Sequence, residues 1–222
     1  MGYLDLSKQE LEKEYSELSK RFEEIKGMGL NLNMARGKPG KEQLDLSLPM
    51  LDTINSKSDF IGDDKMDCRN YGLLNGITEC RHLFGDILGV DADSVMVGGS
   101  SSLNMMFDTI SCFMTAPVVE GCKPWYEVKN RKFLCPVPGY DRHFAITQYY
   151  GFELIPIPMD DNGPDMDMVE KFVSEDDSVK GIWCVPKYSN PAGITYSDEV
   201  VKRFAALKPA AKDFRIMWDN AY

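Results

Sequence analysis

The chain has 222 residues, 43% of them hydrophobic and 27% charged, the balance of a soluble globular protein of one large domain or one and a half. Its net charge of −10 argues against nucleic acid or an anionic membrane as principal partner, but a nest of backbone N–H groups can still hold a small anion. The six cysteines form no C-x-x-C pair, neither histidine has a metal-ligand spacing, and no apolar run approaches a membrane span. Free thiols in the cytoplasm and no bound metal are expected.

The opening M-G-Y-L-D-L-S-K-Q-E is acidic and polar and does not read as a signal peptide. Ser7 and Glu10 have the spacing of a capping box. Behind them Leu11, Tyr15, Leu18, Phe22 and Ile25 recur at helical steps, predicting a packing helix that ends at Gly27. Residues 28–65 are turn-rich, with A-R-G-K-P-G and D-L-S-L-P-M, and no element of useful length is expected before Gly76. Ile77–Leu88 reads as a helix closed by Gly89.

From there strands and helices alternate. Strands are expected at Ser94–Val97, Lys132–Val137, Phe152–Pro158, Val179–Val185 and Phe214–Trp218. Helices are expected after G-G-S-S-S through Met114, after P-G-Y-D-R-H to Tyr150, at Met166–Val173 and at Asp198–Lys208. Ala116–Lys129 reads as a surface loop or ill-formed strand. This alternation predicts an α/β fold, a mostly parallel sheet with helices on both faces. Two parts are expected: an N-terminal helix and irregular arm over 1–65, belonging to a small domain and dimer contacts, and a large domain over 66–222.

In open α/β sheets ligands bind outside the carboxyl ends of the strands, and four such ends here carry polar groups. Gly98–Ser102 combines glycines that admit an anion with three serine hydroxyls at a helix start, although a plain capping turn has the same composition. Tyr140 in P-G-Y-D-R-H can stack on a flat ring or fill a core, and His143 can orient another group or simply pack. Asn190 sits in P-K-Y-S-N-P-A-G, at the end of the strand I-W-C-V. Asp219 ends the apolar run I-M-W, where a carboxylate is costly unless paired, and Tyr222 follows three residues on. A planar heteroaromatic ring with a phosphate arm and a basic ring nitrogen uses all four sites, and pyridoxal 5′-phosphate is such a molecule.

V-P-K-Y-S-N-P-A-G-I-T-Y followed by W-D-N-A-Y resembles the fold-type I pyridoxal-phosphate enzymes, specifically the class I/II, aspartate aminotransferase-like group and its MocR-like subgroup, over Leu32 to Tyr222. The resemblance implies a cytoplasmic homodimeric transferase that moves an amino group between an amino acid and a 2-oxo acid. It implies that Asp219 holds the ring nitrogen, that Asn190 and Tyr222 bond the ring oxygen, that Tyr140 stacks on the ring and that His143 supports Asp219. Gly99, Ser100 and Ser101 match the phosphate turn, Tyr71 a tyrosine that reaches a partner's phosphate, and Gly37 a glycine near the substrate carboxylate. The family's Schiff-base lysine falls beyond Tyr222, so the chain is expected to be an N-terminal fragment, inactive by itself, with a truncated large domain. The alternatives are a nucleotide-dependent oxidoreductase using G-G-S-S-S as its phosphate turn, which lacks G-x-G-x-x-G, and a non-catalytic cofactor-binding or dimerisation module.

Overall fold

Along each central strand, successive residues enter two different cores, and this alternation builds the architecture. The computed structural model describes residues 2–33 and 37–222; Met34, Ala35 and Arg36 of the turn-rich stretch lie outside the described residues. The chain divides into two units, Met1–Phe60 and Ile61–Tyr222.

In the first unit α1 spans Lys8–Gly27. Ser7 caps it: its side chain accepts from the Glu10 N–H and Glu10 answers at the Ser7 N–H, the reciprocal pairing that the sequence announces. Among its described residues the turn-rich stretch beyond contains a five-residue α2, Lys41–Asp45, and a 3-10 turn at Leu48–Asp52.

The second unit holds α3 (Thr78–Leu88), α4 (Ser102–Thr115), β1 (Lys132–Val137), α5 (Asp141–Tyr149), β2 (Glu153–Asp160) and β3 (Gly163–Pro164). Then come α6 (Met166–Glu175), β4 (Val179–Cys184), α7 (Asp198–Ala205) and β5 (Arg215–Trp218). The strand order is β3-β2-β1-β4-β5, parallel throughout except for the short β3, which runs antiparallel to β2. Phe133, Cys135, Phe152 and Trp183 face a core shared with Ile110 and Met114 of α4 and Ile146 of α5. Leu134, Ile157, Ile182 and Cys184 face the opposite core, shared with Val169 and Val173 of α6 and Val200 and Phe204 of α7. Strands buried on both faces are the reason these segments read as continuous apolar runs.

One expected strand is absent. Ser94–Val97 is preceded by a 3-10 turn at Ala92–Ser94, in which the Asp91 carboxylate accepts from the Asp93 N–H. Local turn chemistry supplies backbone partners there, and Val97 reaches only the Asn75 carbonyl, at 2.9 Å. The helix expected to run to Lys208 ends at Ala205, three residues before the restriction that Pro209 places on its predecessor.

β4 carries a bulge: Lys132 pairs with Val179 but Phe133 pairs with Gly181, leaving Lys180 as the extra residue. The bulge resets the alternation, so Val179 and Ile182 share one core. Lys180, inside the sheet, reaches Asp213 Oδ1 at 2.8 Å, and the second oxygen of Asp213 accepts from Trp125 Nε1 at 2.9 Å. The stretch expected as a surface loop is thereby pinned by a fully buried tryptophan. Asp213→Ala strands a buried ammonium and an indole N–H together; its expected cost is about 3–5 kcal/mol, read as a lower urea midpoint.

Desolvation pushes the Cys135 thiol up to about 12 and raises the Cys184 thiol as well, whereas Cys68 and Cys112 are exposed. A thiol that stays protonated does not alkylate. Iodoacetamide at pH 8 is expected to label Cys68 and Cys112 and to reach Cys135 and Cys184 only after denaturant is added, as read by peptide mass spectrometry.

Candidate active site

The connections leaving β1 and β4 depart on opposite faces of the sheet, through α5 and toward α7, although the two strands are neighbours. Such a switch point opens a crevice at the carboxyl ends of the strands. The crevice is lined from the β1 side by Gly139, Tyr140 and His143, and from the β4 side by Trp183, Ser189 and Asn190.

Each wall has a local cause. After β1 the chain turns at Pro138-Gly139, and a Cβ on Gly139 would lie 2.2 Å from the Pro136 carbonyl oxygen and 2.7 Å from the Phe144 ring. Only glycine lets the backbone fold this closely and start α5 at Asp141 with Tyr140 as its cap residue. After β4 the P-K-Y-S-N-P-A-G turn closes on Ser189, whose N–H and carbonyl pair with Ile194 and Gly193 and whose hydroxyl accepts from the Ile194 N–H. Asn190 stands exposed on that turn, and the Val137-Pro138 and Asn190-Pro191 peptide bonds are both cis.

Asp219 follows β5, and its N–H continues the ladder to the Cys184 carbonyl at 2.8 Å. Its Oδ2 lies 3.0 Å from Nε2 of His143, across 76 residues of sequence. Both side chains are sequestered, at 2% and 11% exposure, so the carboxylate at the strand end has the partner that its burial demands. Against ionised Asp219, which only accepts, Nε2 carries the hydrogen of this contact. Tyr140 meets the His143 ring edge-on, with centroids 5.0 Å apart. No described group of three or more His, Cys, Asp or Glu residues is arranged to hold a metal ion.

Tyr140, His143, Asn190 and Asp219 thus gather at the ends of β1, β4 and β5. The other expected residues of the second unit do not line the crevice. Gly99, Ser100 and Ser101 precede α4 and are not among the residues lining the crevice. Ser101 is the α4 cap residue, yet its hydroxyl makes no capping bond, leaving first-turn N–H groups available. Tyr222 is exposed, Tyr71 is 92% exposed in irregular chain, and Gly37, in the first unit, is exposed. The sequence reading did not single out Gly139, Ser189 or Trp183 as individual residues; of these only the glycine, in a strand-to-helix turn, left a local signal.

A buried carboxylate–imidazole pair at the switch point of a parallel sheet is the architecture of the pyridoxal-phosphate transferase fold. Residues 6–222 match the family model described as aspartate amino-transferase, and the chain belongs to that family. It is 46% identical over 208 residues to an aspartate aminotransferase of Corynebacterium glutamicum, covering 94% of this chain and 48% of that protein. The crystal structure of an aspartate transaminase from the same species superposes with a TM-score of 0.87 at 44% identity, covering 98% of this chain and 51% of that one. An α-aminoadipate aminotransferase from Thermus thermophilus, complexed with N-(5′-phosphopyridoxyl)-L-leucine, shares the fold alone, with a TM-score of 0.54, 17% identity and coverage of 69% and 36%. The chain spans about half the length of the curated relatives it matches. The family match leaves the nucleotide-dependent oxidoreductase reading without support.

Gly139→Ala forces the turn open against a backbone oxygen. Overpacking of this kind costs about 1–3 kcal/mol, and a lower thermal midpoint is expected together with a quenched or shifted Trp183 fluorescence signal.

Proposed function

We propose that this chain supplies the cofactor-holding half of a pyridoxal-phosphate aminotransferase acting on an amino acid and a 2-oxo acid. The observation that carries the reading is the His143–Asp219 contact, a sequestered carboxylate held directly after the end of β5. The donor set suits the cofactor: an acceptor carboxylate for a protonated ring nitrogen, a planar side chain in Tyr140, an amide in Asn190, and a helix start with uncommitted N–H groups at Ser101.

Bound there, pyridoxal 5′-phosphate supplies an electron-withdrawing ring that stabilises negative charge at the amino acid's α-carbon. Asp219 holds a proton at the ring nitrogen. One of its oxygens is engaged by His143 and the other keeps its acceptor capacity for that contact. Asn190 and Tyr222 are assigned to the ring oxygen, and Tyr140 to the ring face. Gly99, Ser100 and Ser101 are assigned to the phosphate, where backbone N–H groups and hydroxyls neutralise charge. The cofactor-binding lysine is assigned to the full-length protein beyond Tyr222.

The same reading assigns Gly37 to the substrate carboxylate and Tyr71 to a partner's phosphate in a cytoplasmic homodimer. The exposure of Tyr71 with its neighbours Leu73 and Leu74 supports a covered surface in the assembled enzyme. Residues 1–65 then form the arm and 66–222 the incomplete large domain. Among the described residues no helix is long and apolar enough to cross a membrane.

The test is Asp219→Ala in the full-length protein. Losing one charge-assisted hydrogen bond, worth about 1.5–3 kcal/mol, is expected to lower kcat about ten- to a hundred-fold, with cofactor retention less affected. A kcat near that of the parent enzyme removes Asp219 from the chemistry.

A further inference from the structure

The contact between Asp219 and His143 does not by itself fix the imidazole, because a carboxylate accepts over a broad range of directions. Something else must set the plane of the ring. His143 is 1% exposed, and the Trp183 indole lies flat on it, with centroids 4.9 Å apart and planes 18° apart. The same indole donates Nε1–H to Thr147 Oγ1 at 3.2 Å. Thr147 is 0% exposed and sits four residues after His143 on α5, so the two side chains share one helix face. Its hydroxyl in turn donates to the Phe144 carbonyl at 3.2 Å, which fixes the acceptor lone pairs toward the indole.

Trp183 is itself held. It projects from a strand buried along its whole length, and Phe133 packs beside it with a centroid distance of 5.2 Å. Its side chain faces the α4–α5 core, the side on which α5 carries His143. One indole therefore covers the imidazole with its π-face and grips the same helix through its N–H.

We propose that Trp183, anchored by Thr147, is a positioning residue that fixes the plane of the His143 ring, so that Nε2–H is delivered to Asp219 and the carboxylate is held in one orientation. The catalytic consequence of this rests on the reading that Asp219 carries the cofactor's ring nitrogen. The positional consequence does not, and the experiment separates them.

The experiment uses the full-length protein with 15N-labelled histidine, first freed of cofactor. The hydrogen-exchange rate of the His143 Nε2–H is measured by NMR in the parent, Trp183→Leu, Thr147→Val and Thr147→Ser proteins. Loss of the indole anchor is expected to accelerate exchange about threefold or more in Thr147→Val, and further in Trp183→Leu. Thr147→Ser, which keeps the hydroxyl, is expected to restore the parent rate. With pyridoxal 5′-phosphate bound, the two accelerating variants are expected to lose kcat while KM changes less than about twofold, the signature of an orienting role.

Unchanged exchange in Thr147→Val overturns the proposal, as does equal acceleration in Thr147→Val and Thr147→Ser, which marks a packing effect. If Trp183→Leu does not fold, the two Thr147 variants decide. If the parent protein takes up no pyridoxal 5′-phosphate, the functional reading falls while the exchange rates still judge Trp183.

Discussion

Burial of a carboxylate at the end of β5 is the constraint to which the rest of the site answers. A carboxylate at 11% side-chain exposure calls for a donor, and α5 supplies one by presenting His143 to Asp219. That requirement sets where α5 begins, hence the tight Pro138-Gly139 turn, whose glycine leaves no room for a Cβ beside the Pro136 oxygen. It also ties the last strand to a helix 76 residues earlier in sequence, so the contact closes the fold as well as the site.

The Lys180 bulge is the second part of the same design. Were Lys180 to take a regular ladder position after Val179, the period-two alternation of β4 would carry Trp183 to the face of α6 and α7, away from His143. The bulge costs a ladder position and places an ammonium in the interior. Asp213 and Trp125 Nε1 offset that cost with two hydrogen bonds. A buried ion pair is weak evidence for net stability, but here it fixes the register of a strand, and register decides which side chains reach the site.

Much of this was legible in the sequence and some of it was not. β1 was read with its bounds unchanged, and β4 to within a residue, because strands buried on both faces appear as unbroken apolar runs. That Asp219 needs a partner was legible because a carboxylate after I-M-W is costly when alone, whereas its pairing with His143 was implied only by the family resemblance. Ser94–Val97 was misread as strand because its apolar residues outweighed the Asp91–Asp93 turn that shapes the backbone before them. The bulge was invisible: V-K-G-I-W-C carries no local mark of an extra residue, and the partner that redirects Lys180 lies 33 residues away. The stack of Trp183 on His143 was invisible for the same reason, since it exists only once the bulge has set the register. The strand order, too, follows from which crossovers pack on which face rather than from any one segment.

In the proposed function Asp219 is the group that faces the cofactor's ring nitrogen. A crystal structure of the full-length protein with pyridoxal 5′-phosphate tests this directly. The expected result is an Asp219 carboxylate oxygen within about 3 Å of the pyridine nitrogen, with His143 retained on the other oxygen. A cofactor whose ring nitrogen faces any other side chain, or water, would contradict it.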